Sequence, residues 1–435
     1  MTDSRVERIR AQVAAGLAAR AREDQTTGGP TLTEPDRAAL GHALIAEAMQ
    51  AEAETALAAG NSVLDSDEED ALARAVYDAL FGLAGFQPLL DDPEIENINA
   101  NGADTVWVRF ADGRSERVDP VASSDAALVD LLRTAAARVG VSERRFDLGV
   151  PRLSLQLPDG SRLFAVMAVT GRPCVSIRRH RFLKVTPDDL IALGMLDVAL
   201  REFLRGCVLA RKNLIICGGT GIGKTTMLRA LAADIPADER LITIEDSLEL
   251  GLDRDPETHP DVVAMQAREP NVEGEGEVTQ AELVRWALRM SPDRVVVGEI
   301  RGPEVVPMCN AMSQGNDGSM ATLHASSSRG AFAKLATYAI QAPERLPLEA
   351  TNLMVAGAVD FVVYLALDAR SRRVVASVRE VIDADGPLVV SNEVFRSDGN
   401  GRAVPGVPLR SETLDQLAEA GFDPEIMDRP GGWWD

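Results

Sequence analysis

Aromatic side chains are scarce: Phe, Tyr and Trp make up 4% of the 435 residues. A chain so poor in rings lacks the stacking platforms on which single-stranded nucleic acid is gripped. Positive charge is short as well, with 45 Lys and Arg against 67 Asp and Glu and a net charge of −22. Such a field repels phosphate backbones and anionic membrane surfaces, so no specific nucleic-acid partner is expected and any membrane contact should be indirect. Cysteine occurs only at Cys174, Cys207, Cys217 and Cys309, with no C-x-x-C pair. That spacing indicates neither a disulfide framework nor a zinc site and fits reduced cytosolic thiols. No run reaches the ~18 apolar residues a spanning helix needs. Arg5, Arg8 and Arg10 near the N-terminus are not followed by the apolar core of a secretory signal.

What the chain does contain is concentrated in one stretch. Gly218-Gly219-Thr220-Gly221-Ile222-Gly223-Lys224-Thr225 fits G-x-x-x-x-G-K-[ST], and it uses one of only four lysines. The apolar run Leu214–Cys217 before it reads as a buried strand. Met227, Leu228, Ala230 and Leu231 after it read as the inward face of a helix. Strand, loop and helix in that order are the context a phosphate-binding loop requires. Glycines let backbone N–H groups curl around phosphate oxygens, and the helix N-terminus adds a favourable dipole. Lys224 is then expected to be the point charge on the β- and γ-phosphates, and Thr225 the hydroxyl on Mg²⁺. An accidental Gly-rich turn is the alternative.

With 46% hydrophobic residues, the length predicts two or three domains. Residues 1–60 are Ala-rich, with a break at Thr26-Thr27-Gly28-Gly29-Pro30. Two helical pieces that order only with a partner are expected there. The acidic run Asp65, Asp67, Glu68, Glu69, Asp70 reads either as a docking surface for a basic partner or as a solvated helix start. Residues 61–180 are expected to form a smaller α+β domain: a helix over Leu72–Phe86, a hairpin through Val106–Phe110, a helix over Ala126–Val139, and strands at Leu153–Leu157, Ser161–Val169 and Val175–Ile177. Residues 181–190, with Pro187, read as a linker. From 191 to 400 an α/β alternation predicts strands near Leu214–Cys217, Leu241–Ile244, Val262–Met265, Arg294–Val297 and Met320–Leu323. Such alternation implies a mostly parallel sheet with its ligand at the strands' C-terminal ends. Short strands past Asp360 read as an antiparallel extension, and residues 401–435 as a terminal helix and tail.

A phosphate loop alone binds; hydrolysis also needs a water-positioning carboxylate and charge on the transferring phosphoryl group. The strand Arg294–Val297 ends in Gly298 and Glu299, which would sit beside Mg²⁺ or be a plain surface acid. The strand ending Thr243-Ile244 trails Glu245, Asp246 and Glu249. His324 closes the strand Met320–Leu323, as a sensor of the γ-phosphate or as a structural histidine. Arg178, Arg179, Arg181 and Arg301 are candidates for bidentate phosphate contact.

The ordered motifs I-E-N-I-N-A-N-G, L-P-D-G-S-R, S-I-R-R, G-G-T-G-I-G-K-T-T, T-I-E-D-S-L-E-L, A-L-R-M-S-P-D-R-V-V-V-G-E-I-R-G and G-S-M-A-T-L-H-A-S run from about Ile95 to about Asn400. In this the chain resembles the ATPases of type II and type IV secretion and pilus systems, most of all the CpaF-like, TadA-like tight-adherence branch. The resemblance implies a RecA-like P-loop NTPase domain behind the α+β domain. It implies a nucleotide set of Gly218 through Thr226 with Arg178 and Glu245. Glu249 would activate water, Glu299 would be the second metal-side carboxylate, and Lys224 and His324 would act on the phosphates. Mg²⁺ would be held by Thr225, Glu249 and Glu299, partly through water. It further implies a homo-hexamer in the cytoplasm, peripheral to the inner membrane, whose ATP-driven hinge motion reaches a platform protein there. Two departures stand out. Asn316 occupies the place of a usual His in G-H-D-G, and Gln156 that of a usual Arg before L-P-D-G. Their loss of charge is expected to slow hydrolysis, or to shift the duty to Arg152, Arg162 or Arg179.

Overall fold

The computed structural model describes residues 2–27, 33–60, 62–139, 145–179, 184–270, 274–428 and 434. The chain divides into two compact units, Met1–Arg181 and Phe182–Asp435.

In the first unit, helices Thr2–Thr27, Glu34–Ala58 and Ser66–Phe81 close around Ile9, Val13, Ile45, Met49, Leu72 and Val76. The Ala-rich segment therefore orders on its own chain and not only on a partner. Each helix alone offers a narrow apolar stripe, and the third supplies the surface on which the first two bury theirs. The expected break at Gly28-Gly29-Pro30 lies outside the described residues. Asp65 caps the third helix: its carboxylate accepts the Glu68 N–H at 2.9 Å, and Glu68 returns the bond to the Asp65 N–H at 3.3 Å. The acidic run is thus a helix first turn, where negative charge complements the dipole.

Six antiparallel strands follow: β1 (Ile95–Asn101), β2 (Val106–Phe110), β3 (Ser115–Val118), β4 (Arg152–Gln156), β5 (Arg162–Val166) and β6 (Cys174–Arg178), in the order β3-β2-β1-β6-β5-β4. Their inward residues, among them Ile98, Val106, Val108, Leu163 and Ile177, form one core with Leu128 and Leu132 of the helix Asp125–Val139. Arg172 ties this helix to the strands, donating to Asp125 at 2.7 Å and to Asp104 at 2.8 Å.

The second unit begins with a helix where a linker was expected. Thr186 caps Pro187–Ala192, and Pro187 sits in the first turn, where its missing N–H costs nothing. Arg181 and the rest of 180–183 lie outside the described residues. One nine-stranded sheet organises the unit: β7 (Leu214–Gly218), β8 (Leu241–Glu245), β9 (Val262–Gln266), β10 (Arg294–Ile300), β11 (Met320–His324), β12 (Phe361–Leu367), β13 (Arg373–Asp385), β14 (Leu388–Ser397) and β15 (Ala403–Pro405). Their order is β15-β14-β13-β12-β7-β11-β10-β8-β9.

Alternate residues of β7 feed two cores, Leu214 and Ile216 one, Ile215 and Cys217 the other. Burial on both faces is why these strands read as continuous apolar runs. One expectation is corrected here: β12 pairs parallel with β7, so the antiparallel extension starts only at β13. The helix Leu348–Ala358, which the sequence reading missed, precedes β12 and allows a parallel return. Its mixed Ala, Thr, Asn and Gly content carries little apolar periodicity. No helix among the described residues is long and apolar enough to cross a membrane.

Candidate nucleotide site

β7 delivers the chain into the glycine loop, and a helix, Lys224–Ala232, leaves it. Gly221 and Gly223 have φ of +70° and +96°, left-handed backbone that a side chain would disfavour. Those two turns reverse the chain tightly enough for the helix to start directly above the strand end. Thr225 and Thr226 lie in its first turn, half-buried, while Gly219, Thr220 and Gly221 are exposed.

Lys224 is buried and folded over its own loop. Its Nζ donates to the Gly219 carbonyl at 2.8 Å and lies 3.2 Å from Nδ1 of His324. His324 ends β11, the parallel neighbour of β7. Its Nε2 is 2.8 Å from Oε1 of Glu299 on β10. Glu299 in turn accepts from Arg301 at 2.7 Å, and Arg301 also donates to Asp246, just past β8, at 2.8 Å. A polar chain thus crosses the C-terminal tips of four strands, starting at the phosphate-loop lysine. Burial lowers the His324 pKa below its ordinary value; Glu299 opposes this, while Lys224 and Arg301 add to it. The Lys224 ammonium stands almost equally far from both ring nitrogens, 3.2 Å from Nδ1 and 3.4 Å from Nε2, and so lies against the imidazole as a whole.

Glu245 ends β8 and is almost fully buried. Its Oε1 accepts the backbone N–H groups of Glu249 and Leu250, each at 2.9 Å, and so folds the loop that carries Glu249. Burial pushes its pKa up to about 7 against the pull of those two N–H groups. Gly298 makes room for it: a Cβ there would meet Glu245 Cγ at 2.8 Å. The close approach at Gly298 is therefore made by the Glu245 side chain. Two glutamines, neither of them assigned to the site from sequence, hold Asp246. Gln280 donates to its carboxylate at 2.6 Å, and Gln266 to its carbonyl at 3.1 Å. Thr279 caps the helix Gln280–Ala287, which sets Gln280 in its first turn.

The remaining candidates fall elsewhere. Arg178 is exposed on β6 of the first unit. Arg179 spends its guanidinium on the Asp92 and Ile95 carbonyls of that unit, which ill suits it to take over phosphate contact. Asn316 lies where the sequence placed it, ahead of the strand that His324 closes. It precedes β11, at the end opposite His324, and donates to the Pro292 carbonyl at 2.6 Å. Five strand residues at ~3.3 Å each lie between it and the strand end that carries His324, so within one subunit it makes no direct phosphate contact.

A family model described as Type II/IV secretion system protein matches residues 82–384. A Mycobacterium tuberculosis protein named for conjugal transfer is 35% identical over 325 residues, covering 72% of this chain and 88% of its own length. The type IV secretion system protein VirB11 of Brucella suis is 32% identical over 328 residues, covering 68% and 88%. The chain belongs to the Type II/IV secretion system protein family. With its phosphate loop in the required strand–loop–helix setting, this secretion-system protein is an ATPase. The crystal structure of the ATPase DotB from Legionella pneumophila, 18% identical, superposes with a TM-score of 0.50 over 69% of this chain and 81% of that one. That likeness concerns the fold alone, a RecA-like parallel sheet.

Proposed function

We propose that this family member is a hexameric ATPase of the CpaF-like branch, driving pilus assembly or protein secretion through an inner-membrane platform protein. The observation that carries the catalytic part is the polar chain Lys224–His324–Glu299–Arg301–Asp246 across the strand tips. In this reading Lys224 leaves the loop carbonyls for the β- and γ-phosphates. Glu249, held by Glu245, takes a proton from the attacking water as its oxygen bonds to the γ-phosphorus. The bond from that phosphorus to the bridging oxygen breaks, and ADP leaves. His324 swings between Glu299 and the γ-phosphate, so its partner reports whether that phosphate is present. Arg178 is assigned to neutralise phosphate charge.

Among the described residues no group of three or more His, Cys, Asp or Glu side chains could hold a metal by itself. Mg²⁺ in such sites is held by one or two carboxylates, with phosphate and water completing its shell. Thr225, Glu249 and Glu299 would hold it, and when bound it neutralises charge on the phosphate oxygens.

ATP turnover measured on the assembled protein tests the reading. Lys224→Ala and Glu299→Ala should each lower kcat by about a hundredfold or more. Turnover in either variant equal to the wild type would overturn it. Sedimentation with ATP should report six copies; a monomer at every concentration would remove the ring.

A further inference from the structure

Behind the loop that follows His324, in the second unit, four polar side chains that the site described above does not use form a closed ring. Ser328 and Ser377 are buried, at 3% and 5% exposure, and their hydroxyls stand 2.8 Å apart. Arg379 donates from Nε to the Ser328 hydroxyl at 3.0 Å and from a terminal nitrogen to Glu393 at 3.1 Å. Ser377 donates to the other Glu393 oxygen at 2.6 Å. A hydroxyl has one proton, and Ser377 spends its own on Glu393, so the hydrogen between the two serines must come from Ser328. Every donation is thereby fixed: Arg379 to Ser328, Ser328 to Ser377, Ser377 to Glu393, with the Arg379–Glu393 ion pair closing the ring.

The ring lies to one side of the strand tips. Leu323, Cys217, Tyr364 and Ser377 are successive partners across β11, β7, β12 and β13. Ser377 is thus three strand spacings, ~14 Å, from the strand that His324 ends. The chain after His324 bridges that gap. It doubles back over the sheet, where the Cys217 thiol donates to the Ser327 carbonyl at 3.8 Å, and Ser328 enters the ring on β13. Ser327 also holds the start of the helix Gly330–Gln341, its hydroxyl accepting the Gly330 N–H at 2.9 Å.

With both hydroxyl protons committed, the ring is a rigid point, since opening it leaves buried polar groups unpaired. Ser328 is only four residues past His324. His324 is the member of the strand-tip chain with two neighbours to choose between, Lys224 and Glu299. A side chain that must keep its distance to a phosphate within a fraction of an ångström needs its backbone held on both sides. Pairing of β11 with β7 and β10 holds it from before. Ser328 holds it from after.

Resting on the nucleotide reading above, we infer that Ser328, Ser377, Arg379 and Glu393 are positioning residues for His324, acting on ATP hydrolysis through the loop and not through contact with the nucleotide. The antiparallel extension thereby takes part in the reaction. Ser328→Ala opens the ring at the loop and should lower kcat about tenfold, with the KM for ATP within about twofold, because small displacements of a reacting geometry are costly in rate. Arg379→Lys keeps a cation beside Glu393 but has no planar fork to reach Ser328 as well, and it should do the same.

The test is a double-mutant cycle with His324→Ala, read as turnover of the assembled full chain, beside melting temperature and the binding of inorganic tripolyphosphate. Once His324 is alanine, Ser328→Ala and Arg379→Lys should each change kcat by less than about twofold, because the residue they act through is gone. Tripolyphosphate affinity should stay within about twofold throughout, since the phosphate loop is untouched. An equal loss of kcat with and without His324 would overturn the assignment, because the ring would then serve the fold alone. So would a kcat within about twofold of wild type in both Ser328→Ala and Arg379→Lys. Where Ser328→Ala fails to fold, Arg379→Lys decides by the same cycle. If His324→Ala itself turns over like the wild type, the histidine's part in the nucleotide reading fails and the positioning assignment falls with it, an outcome distinct from the others.

Discussion

Adding one methyl group at Gly298 should disable the site without touching a phosphate contact. In Gly298→Ala the new Cβ would stand 2.8 Å from Glu245 Cγ and 3.2 Å from its Oε1. The nearest atom is mid-chain on a buried side chain, so Glu245 must rotate bodily. Rotation breaks the two 2.9 Å bonds that its carboxylate accepts from the Glu249 and Leu250 N–H groups. Overpacking costs about 1–3 kcal/mol, and leaving two buried donors short adds about 1–3 kcal/mol, part of which relaxation recovers. A net loss of about 3 kcal/mol corresponds to a fall of about 6–12 °C in the melting temperature of a unit this size. The acidic loop would then sit wrongly, and kcat should drop about tenfold or more, with tripolyphosphate binding held within about twofold. Calorimetry and ATP turnover on the same preparation read both effects. The double variant Gly298→Ala, Glu245→Ala should lose less stability than the two single variants summed, because removing the glutamate vacates the space. A melting temperature within 1 °C of wild type, at full turnover, would refute the steric argument.

Other outcomes follow from the same structure. Arg294, fully buried, grips Glu239 at 2.6 and 2.7 Å, so Arg294→Met should destabilise by about 3 kcal/mol, read by urea unfolding. Glu245, normally near 4.5 and held at about 7, binds its proton more tightly folded than unfolded; its contribution is present below about pH 4.5 and lost as pH rises through 7. Against Glu245→Gln, wild-type stability should therefore fall by about 3 kcal/mol across that window, and a flat difference would sink the assignment. Phe203 packs on Phe361, Phe395 and Phe422 with ring centres 4.8 to 5.9 Å away, and Phe203→Ala should cost about 3–5 kcal/mol by thermal unfolding. Asn316→His should leave turnover within about twofold of wild type, because the residue sits at the far end of β11.

Much of the site was legible because its signals are local. Eight consecutive residues specify the phosphate loop, and two of its glycines supply the backbone angles the turn demands. Glu299 and His324 stood out by closing apolar runs, since strands of a doubly covered sheet show their ends where polarity begins. Asn316 is near His324 in sequence, but β11 intervenes and carries the two to opposite ends of that strand. The Ala-rich N-terminus misled because its partner surface, the helix Ser66–Phe81, is an ordinary helix when read alone.

The sequence by itself determined the phosphate loop, the alternation that makes a parallel sheet, and the carboxylates and histidine at its strand tips. Each depends on a residue and its near neighbours, through backbone freedom or side-chain period. Tertiary structure alone decided that Lys224 meets His324 from 100 residues away and that Glu245 is a buried brace for its loop. Those pairings arise from the order in which strands are laid side by side. That order is set by how whole faces bury, a sum over many side chains that no short stretch records.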